Sequence, residues 1–182
     1  MDAANLRRAI SVLTTGGTIE KTYDEGDGSL ENRGPIIKEK ILSKMRLPYT
    51  EIEVRPVLSK DSLYMTDEDR QLVLKATIEE LNTGRPVVIL HGTDTMTVTA
   101  ELLKMSIPNP PSPIVLTGAM KPLGFDDSDA AQNVIEALLA AKMLSPGVYI
   151  SFHNQIFDPP FVRKNREKRT FEFFNPIGTK HD

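Results

Sequence analysis

The sequence predicts an α/β fold on a parallel sheet with helices on both faces, and two observations predict it. Five short β-rich apolar runs, AISVLTT, EIEVRPVL, PVVILH, PIVLTG and GVYISFH, alternate with stretches of helical patterning. The third, fourth and fifth runs are nearly continuous in Val, Ile and Leu, as strands covered on both faces by crossover helices are, so they are the expected central strands. Helices are expected near residues 66–82, 95–106 and 126–144, with a further one near 36–45. The first of these has a start signal at Thr66, where Asp67, Glu68 and Asp69 suit the positive end of a helix, and a stop at Gly84.

Residues 21–34 are polar, carry three glycines and lack an apolar period, which predicts a mobile loop or lid. The NPPSP segment ends one helix and feeds the next strand. After Ile156 the pattern weakens into a proline pair and a basic run, expected to form an edge segment and a surface arm. At 182 residues there is room for one well-cored domain and little for a second.

Composition narrows the function classes. With 40% hydrophobic and 26% charged residues and a net charge of -3, the chain has the balance of an ordinary soluble protein and no general attraction for nucleic acid. Its apolar runs fall far short of the roughly 20 residues that cross a bilayer, so no membrane partner is expected. The start lacks a secretory apolar segment, which predicts a cytoplasmic location. The absence of cysteine excludes disulfides and thiol catalysis, and the three histidines are too dispersed to read as a zinc set, so no metal is expected.

In open α/β sheets ligands bind beyond the carboxyl ends of the strands, so the polar residues there are the ones to inspect. They are Thr14, Thr15, Gly16, Gly17 and Thr18 after the first strand, and Lys60, Asp61 and Ser62 after the second. Gly92, Thr93, Asp94 and Thr95 follow the third, and Gly118, Ala119, Met120 and Lys121 the fourth. Gly16 and Gly17 allow close backbone approach to a ligand, with Thr18 placed to face it. The same residues also fit an ordinary strand-to-helix turn, whereas neither phosphate-loop spacing is present. Thr93 and Asp94 set a hydroxyl beside a carboxylate, but either is also a natural helix cap. Lys164 lies in a cluster with Arg163, Arg166, Lys168 and Arg169, which reads mostly as solvated surface. Beside Thr93, a lysine in its neutral form can take a proton from a hydroxyl.

Jointly these segments resemble the bacterial-type L-asparaginase family over nearly the whole chain. TTGGTIEK is similar to its first signature and HGTDTMTVTAELL to its second, with KDSLYMT, PIVLTGAMKP, SDAAQN and IFDPPFVRKN as supporting matches in the same order. The resemblance is to the N-terminal domain, and it implies a flavodoxin-like parallel sheet and a homo-oligomer. Residues 1–182 correspond to that domain alone, so the expectation is either a short single-domain form or a piece of a longer chain, in both cases without the family's C-terminal domain and the glutamate that domain lends for the substrate's ammonium.

By the same resemblance Thr18 is the nucleophile that attacks the side-chain carboxamide of L-asparagine, with Tyr23 as its activator. A phenol is a poor base at neutral pH, so Lys21 is a candidate to assist Tyr23. Thr93, Asp94 and Lys164 resemble the second triad, in which Asp94 also binds the α-ammonium, and Ser62 backed by Asp61 holds the α-carboxylate. Backbone at Gly17, Thr93 and Ala119 lines the substrate, the last two facing the oxyanion. No cofactor is implied, since threonine acyl transfer needs neither metal nor nucleotide. Thr14, Thr15 and Asn133 are expected to support the loops, and His91 to be a packed, hydrogen-bonded residue. Two other classes fit the same residues: a binding module for asparagine or aspartate with little turnover, and an amidohydrolase for glutamine or a larger amide.

Overall fold

The structure, a computed structural model, describes residues 8–23, 30–32 and 37–175. Its centre is a six-stranded sheet. Strands β1 (Arg8–Thr14), β4 (Thr50–Pro56), β5 (Val87–Leu90), β6 (Ile114–Thr117) and β7 (Val148–Phe152) run parallel, and β8 (Gln155–Phe157) closes one edge antiparallel to β7. The spatial order is β4-β1-β5-β6-β7-β8. Counting the parallel strands along the chain gives the order 2-1-3-4-5 of a flavodoxin-like doubly wound sheet, as the family resemblance implied, with an antiparallel strand added.

Alternation along the strands builds two cores. Leu13, Val87, Ile89, Ile114 and Leu116 meet α2 (Asp67–Leu81) and α3 (Met96–Ser106) through Val73, Ala76, Met96, Ala100 and Leu103. Ile10, Val12, Val88, Leu90 and Val115 face the other way, onto α4 (Ala130–Met143) through Val134, Ala137 and Ala141, and onto α1 (Ile37–Lys40) through Ile37. Every residue of β5 and β6 is buried, which is why those runs are unbroken in apolar residues.

Helix α2 starts as its sequence signals. The Thr66 hydroxyl accepts from the Asp69 amide while the Asp69 carboxylate accepts from the Thr66 amide, a reciprocal cap. The helix ends at Leu81, whose carbonyl accepts from the Gly84 amide. No helix among the described residues is long and apolar enough to cross a membrane.

Four expectations change. The helix expected over 126–144 begins only at Ala130, because residues 126–129 make a side-chain-bonded turn: the Ser128 hydroxyl donates to the Lys121 carbonyl and accepts from the Ala130 amide. The helix expected over 36–45 is one short α turn followed by a 3-10 turn, Leu42–Lys44. Within the expected lid, β2 (Lys21–Tyr23) pairs with β3 (Leu30–Asn32) as an antiparallel ribbon, and the rest of it lies outside the described residues. The expected surface arm is a packed hairpin, β9 (Val162–Asn165) on β10 (Thr170–Phe173), anchored by buried Val162 and Phe171, with Phe171 edge-on to Phe152 at a centroid distance of 5.0 Å.

Candidate active site

The parallel register ends together: Thr14 lies beside Pro56 and Leu90, and Leu90 beside Thr117. The segments after these strands therefore share one rim, at the point where the strand order reverses between β1 and β5. Here the chain turns sharply. Gly17 has φ 84° and ψ -174°, a region essentially closed to other residues, and a Cβ on it would lie 2.5 Å from Gly92 Cα. This contact joins the two signature segments, fixing the half-buried Thr18 at the start of a 3-10 turn (Thr18–Glu20) relative to Thr93 just past Gly92. The buried Thr15 hydroxyl braces the turn by donating to the Leu90 carbonyl at 3.0 Å. Gly17→Ala is expected to lower unfolding stability by at least about 1–3 kcal/mol, the usual cost of such a conformation, before any clash is counted. Urea denaturation checks it, and an unchanged midpoint counts against this geometry.

Thr93 is buried, and Lys164 reaches it from the hairpin. Lys164 Nζ donates to Thr93 Oγ1 at 2.7 Å and to Asp94 Oδ1 at 3.1 Å. Strand alternation makes this possible: Val162 and Lys164 share the inward face of β9, so burial of Val162 turns Lys164 in, while Arg163 points out to Glu172. Arg166 also comes in, donating to Asp94 Oδ1 at 2.6 Å. The basic run around it reads as solvated surface; only the fold of the hairpin shows the approach.

Asp61 caps the 3-10 turn Ser62–Tyr64 by accepting from the Leu63 amide, and it pairs with Lys21 at 2.7 Å. Burial pushes its carboxyl up, but Lys21, the Leu63 amide and the charge of Lys164 outweigh this and hold it below the ordinary range. Lys21, a candidate aid to Tyr23, is thus engaged by Asp61. Tyr23 lies on β2 opposite Leu30, and its side chain is outside the described residues. Ser62 reaches the rim, held there by Thr95, whose hydroxyl donates to its carbonyl at 2.9 Å. Its own hydroxyl faces inward, buried against Gly92 and without a hydrogen-bond partner among the described residues.

Around Ala119, itself buried, the support is dense. Asp129 accepts from the Met120 and Lys121 amides, from Asn133 and from His153, and Asn133 also donates to the Gly118 carbonyl. Burial raises the Asp129 carboxyl, yet these donors leave it below the ordinary range. Asn133 is the supporting residue it was expected to be; Asp129 and His153 were not foreseen, because the contacts of Asp129 to the Lys121 amide and to His153 span 8 and 24 residues. His91 is fully buried, its Nδ1 on the Gly92 carbonyl and its Nε2 on the Thr99 hydroxyl, each at 2.8 Å. Burial pushes its pKa down to about 4, leaving it neutral and structural.

A further unforeseen residue is Glu20, in the same 3-10 turn as Thr18. It is 1% exposed; its Oε2 accepts from the Gly16 amide at 2.8 Å, and its Oε1 has no hydrogen-bond partner among the described residues. Burial pushes its carboxyl up to about 7, with the Gly16 amide and then the nearby Thr14 hydroxyl offsetting only part of the rise.

Comparison with known proteins agrees with this architecture. Residues 9–180 match the family model of the asparaginase N-terminal domain. The L-asparaginase of Thermococcus kodakarensis is 36% identical over 146 residues, covering 80% of this chain and 44% of that protein. One of the glutamyl-tRNA(Gln) amidotransferase polypeptides of Methanococcus vannielii is 34% identical over 153 residues, 82% of this chain and 35% of that protein. Among solved structures, the thermostable L-asparaginase from T. kodakarensis superposes with a TM-score of 0.83 at 33% identity, covering 92% of this chain and 51% of that one. L-asparaginase I from Vibrio cholerae superposes at 0.77 and 28%, covering 93% and 52%. The chain spans less than half the length of these two curated relatives.

Proposed function

We propose that this chain, which belongs to the asparaginase family, hydrolyses the side-chain amide of L-asparagine to L-aspartate and ammonia through an acyl-enzyme on Thr18. The observation that carries the reading is the convergence of Thr93, Asp94 and Lys164 beside the Gly17–Gly92 contact that positions Thr18. A base, for which Tyr23 in its phenolate form is the proposed residue, takes the Thr18 proton, and the oxygen adds to the carboxamide carbon. The C–N bond breaks as the leaving nitrogen takes a proton from the Thr93 hydroxyl, replenished from Lys164, and ammonia departs. Water then adds to the ester, returning one proton through Thr93 to Lys164, and Thr18 recovers its own from Tyr23. Gly17, Thr93 and Ala119 supply backbone along the substrate, and preorganised amides there suit a developing oxyanion.

Asp94 is the proposed partner of the substrate's α-ammonium, in exchange for Arg166. Asp61 and Ser62 form the α-carboxylate side, which requires the Ser62 hydroxyl to rotate out from Gly92. A single asparaginase N-terminal-type domain, a homo-oligomeric assembly and a cytoplasmic location belong to the same proposal. A second reading, hydrolysis of glutamine or a larger amide, draws on the amidotransferase relative. Ammonia release from L-asparagine and from L-glutamine, measured side by side, tests both. Release from asparagine supports the first and release from glutamine alone the second; a folded protein that binds asparagine without releasing ammonia is instead a binding module.

A further inference from the structure

Among the described residues, the rim carboxylates Asp61 and Asp94 are within reach of an ammonium group, and both already hold cations. Asp61 is paired with Lys21, and Asp94 with Lys164 and Arg166. Asp94 therefore carries two cations on one carboxylate oxygen. Arg163 and Lys168 of the same hairpin stay on it, both paired with Glu172. Arg166 instead crosses to Asp94, and its 2.6 Å contact is shorter than the 3.1 Å contact of Lys164 to the same oxygen.

The free amino acid asparagine presents an ammonium and a carboxylate on one carbon. Its ammonium has to displace Arg166 from Asp94 or approach a carboxylate already held by two cations, whereas its carboxylate meets no such obstacle. We infer that Arg166 tunes the site toward asparagine-type amides that keep the carboxylate but whose ammonium is missing or acylated, such as succinamate and N-acetyl-L-asparagine. This inference rests on the amidohydrolase reading and narrows its substrate class. Arg166 serves here as a specificity-determining residue. It is 72% exposed on its side chain, so its effect is that of one solvated charge and is screened by salt.

The test compares kcat/KM for succinamate and for L-asparagine in the wild-type chain and in Arg166→Ala, at low and high salt. Wild type is expected to favour succinamate. Arg166→Ala is expected to raise the value for asparagine and lower that for succinamate, each by roughly fivefold, the scale of one exposed pair. Added salt should shrink the wild-type preference and leave that of the variant nearly unchanged, a response that loss of hairpin packing does not produce. A wild type that favours asparagine, or a ratio that Arg166→Ala leaves where it was, overturns the inference while leaving the amidohydrolase reading standing. Ammonia from neither amide by the folded protein removes both together.

Discussion

Thr18→Ala is expected to abolish ammonia release, Lys164→Met to lower kcat by about 10³-fold, and the double variant to be no slower than Thr18→Ala alone. The alanine variant removes the only atom on which the acyl-enzyme forms. The lysine variant removes the donor to Thr93 Oγ1, and with it the proton that the leaving nitrogen needs. Positioned proton transfer is worth about 10² to 10⁴ in rate, which sets the size of that loss. Because both groups serve one step, their losses do not add.

Stability should separate this result from simple unfolding. Lys164→Met leaves Asp94 with its Arg166 contact, so no carboxylate is stranded, and the retained methylene stem still lies on the inward face of β9. Thr18→Ala is expected to unfold near the wild-type midpoint, and Lys164→Met therefore to lose no more than about 1–3 kcal/mol, the cost of leaving the buried Thr93 hydroxyl without its donor. Substantial release by Thr18→Ala places the nucleophile elsewhere. Equal kcat in wild type and Lys164→Met removes Lys164 from the proton path.

The parts of the fold that sequence made legible are those fixed by local pattern. Runs such as VVIL and IVLT have no polar break because both sheet faces are covered, and the Thr66 to Asp69 cap needs only four adjacent residues. The hairpin after Ile156 was not legible. Val162 follows Phe161 and Phe171 precedes Phe173, but nothing in these short apolar groups says which member is buried; only the partner surface, with Phe152 and Phe157, shows it. The site divides in the same way. Thr93, Asp94 and Lys164 were grouped by resemblance to a family, since a contact across 71 positions leaves no periodic trace. Arg166 and Glu20 escaped because nothing in a basic run says which cation turns inward, and an isolated glutamate beside a lysine reads as solvent-exposed.

Glu20 has the larger consequence for stability. Its carboxyl titrates near 7 in the folded chain against an ordinary 4.5. Below about pH 4.5 it is protonated in both folded and unfolded chains and costs nothing. As the pH rises from there, the unfolded chain releases the proton while the folded one retains it, so stability falls until both are ionised above about 7. The shift corresponds to a loss of about 3 kcal/mol across that window, and solvent does little to soften it at a group 1% exposed.

Glu20→Gln keeps the shape and remains neutral, and its carbonyl still accepts from the Gly16 amide. Its amide nitrogen inherits the place of an oxygen that has no partner among the described residues, a cost of about 1 kcal/mol or more that is the same at every pH. The variant should therefore be no more stable than wild type at pH 5, and more stable at pH 8. Urea midpoints at the two pH values decide it: parallel shifts in both proteins mean that Glu20 is solvated and the site is built differently. A flattened pH dependence in the variant means that the turn carrying Thr18 bears the cost of a buried charge as the solution becomes basic. Protonation of Glu20 then relaxes the segment on which the nucleophile sits.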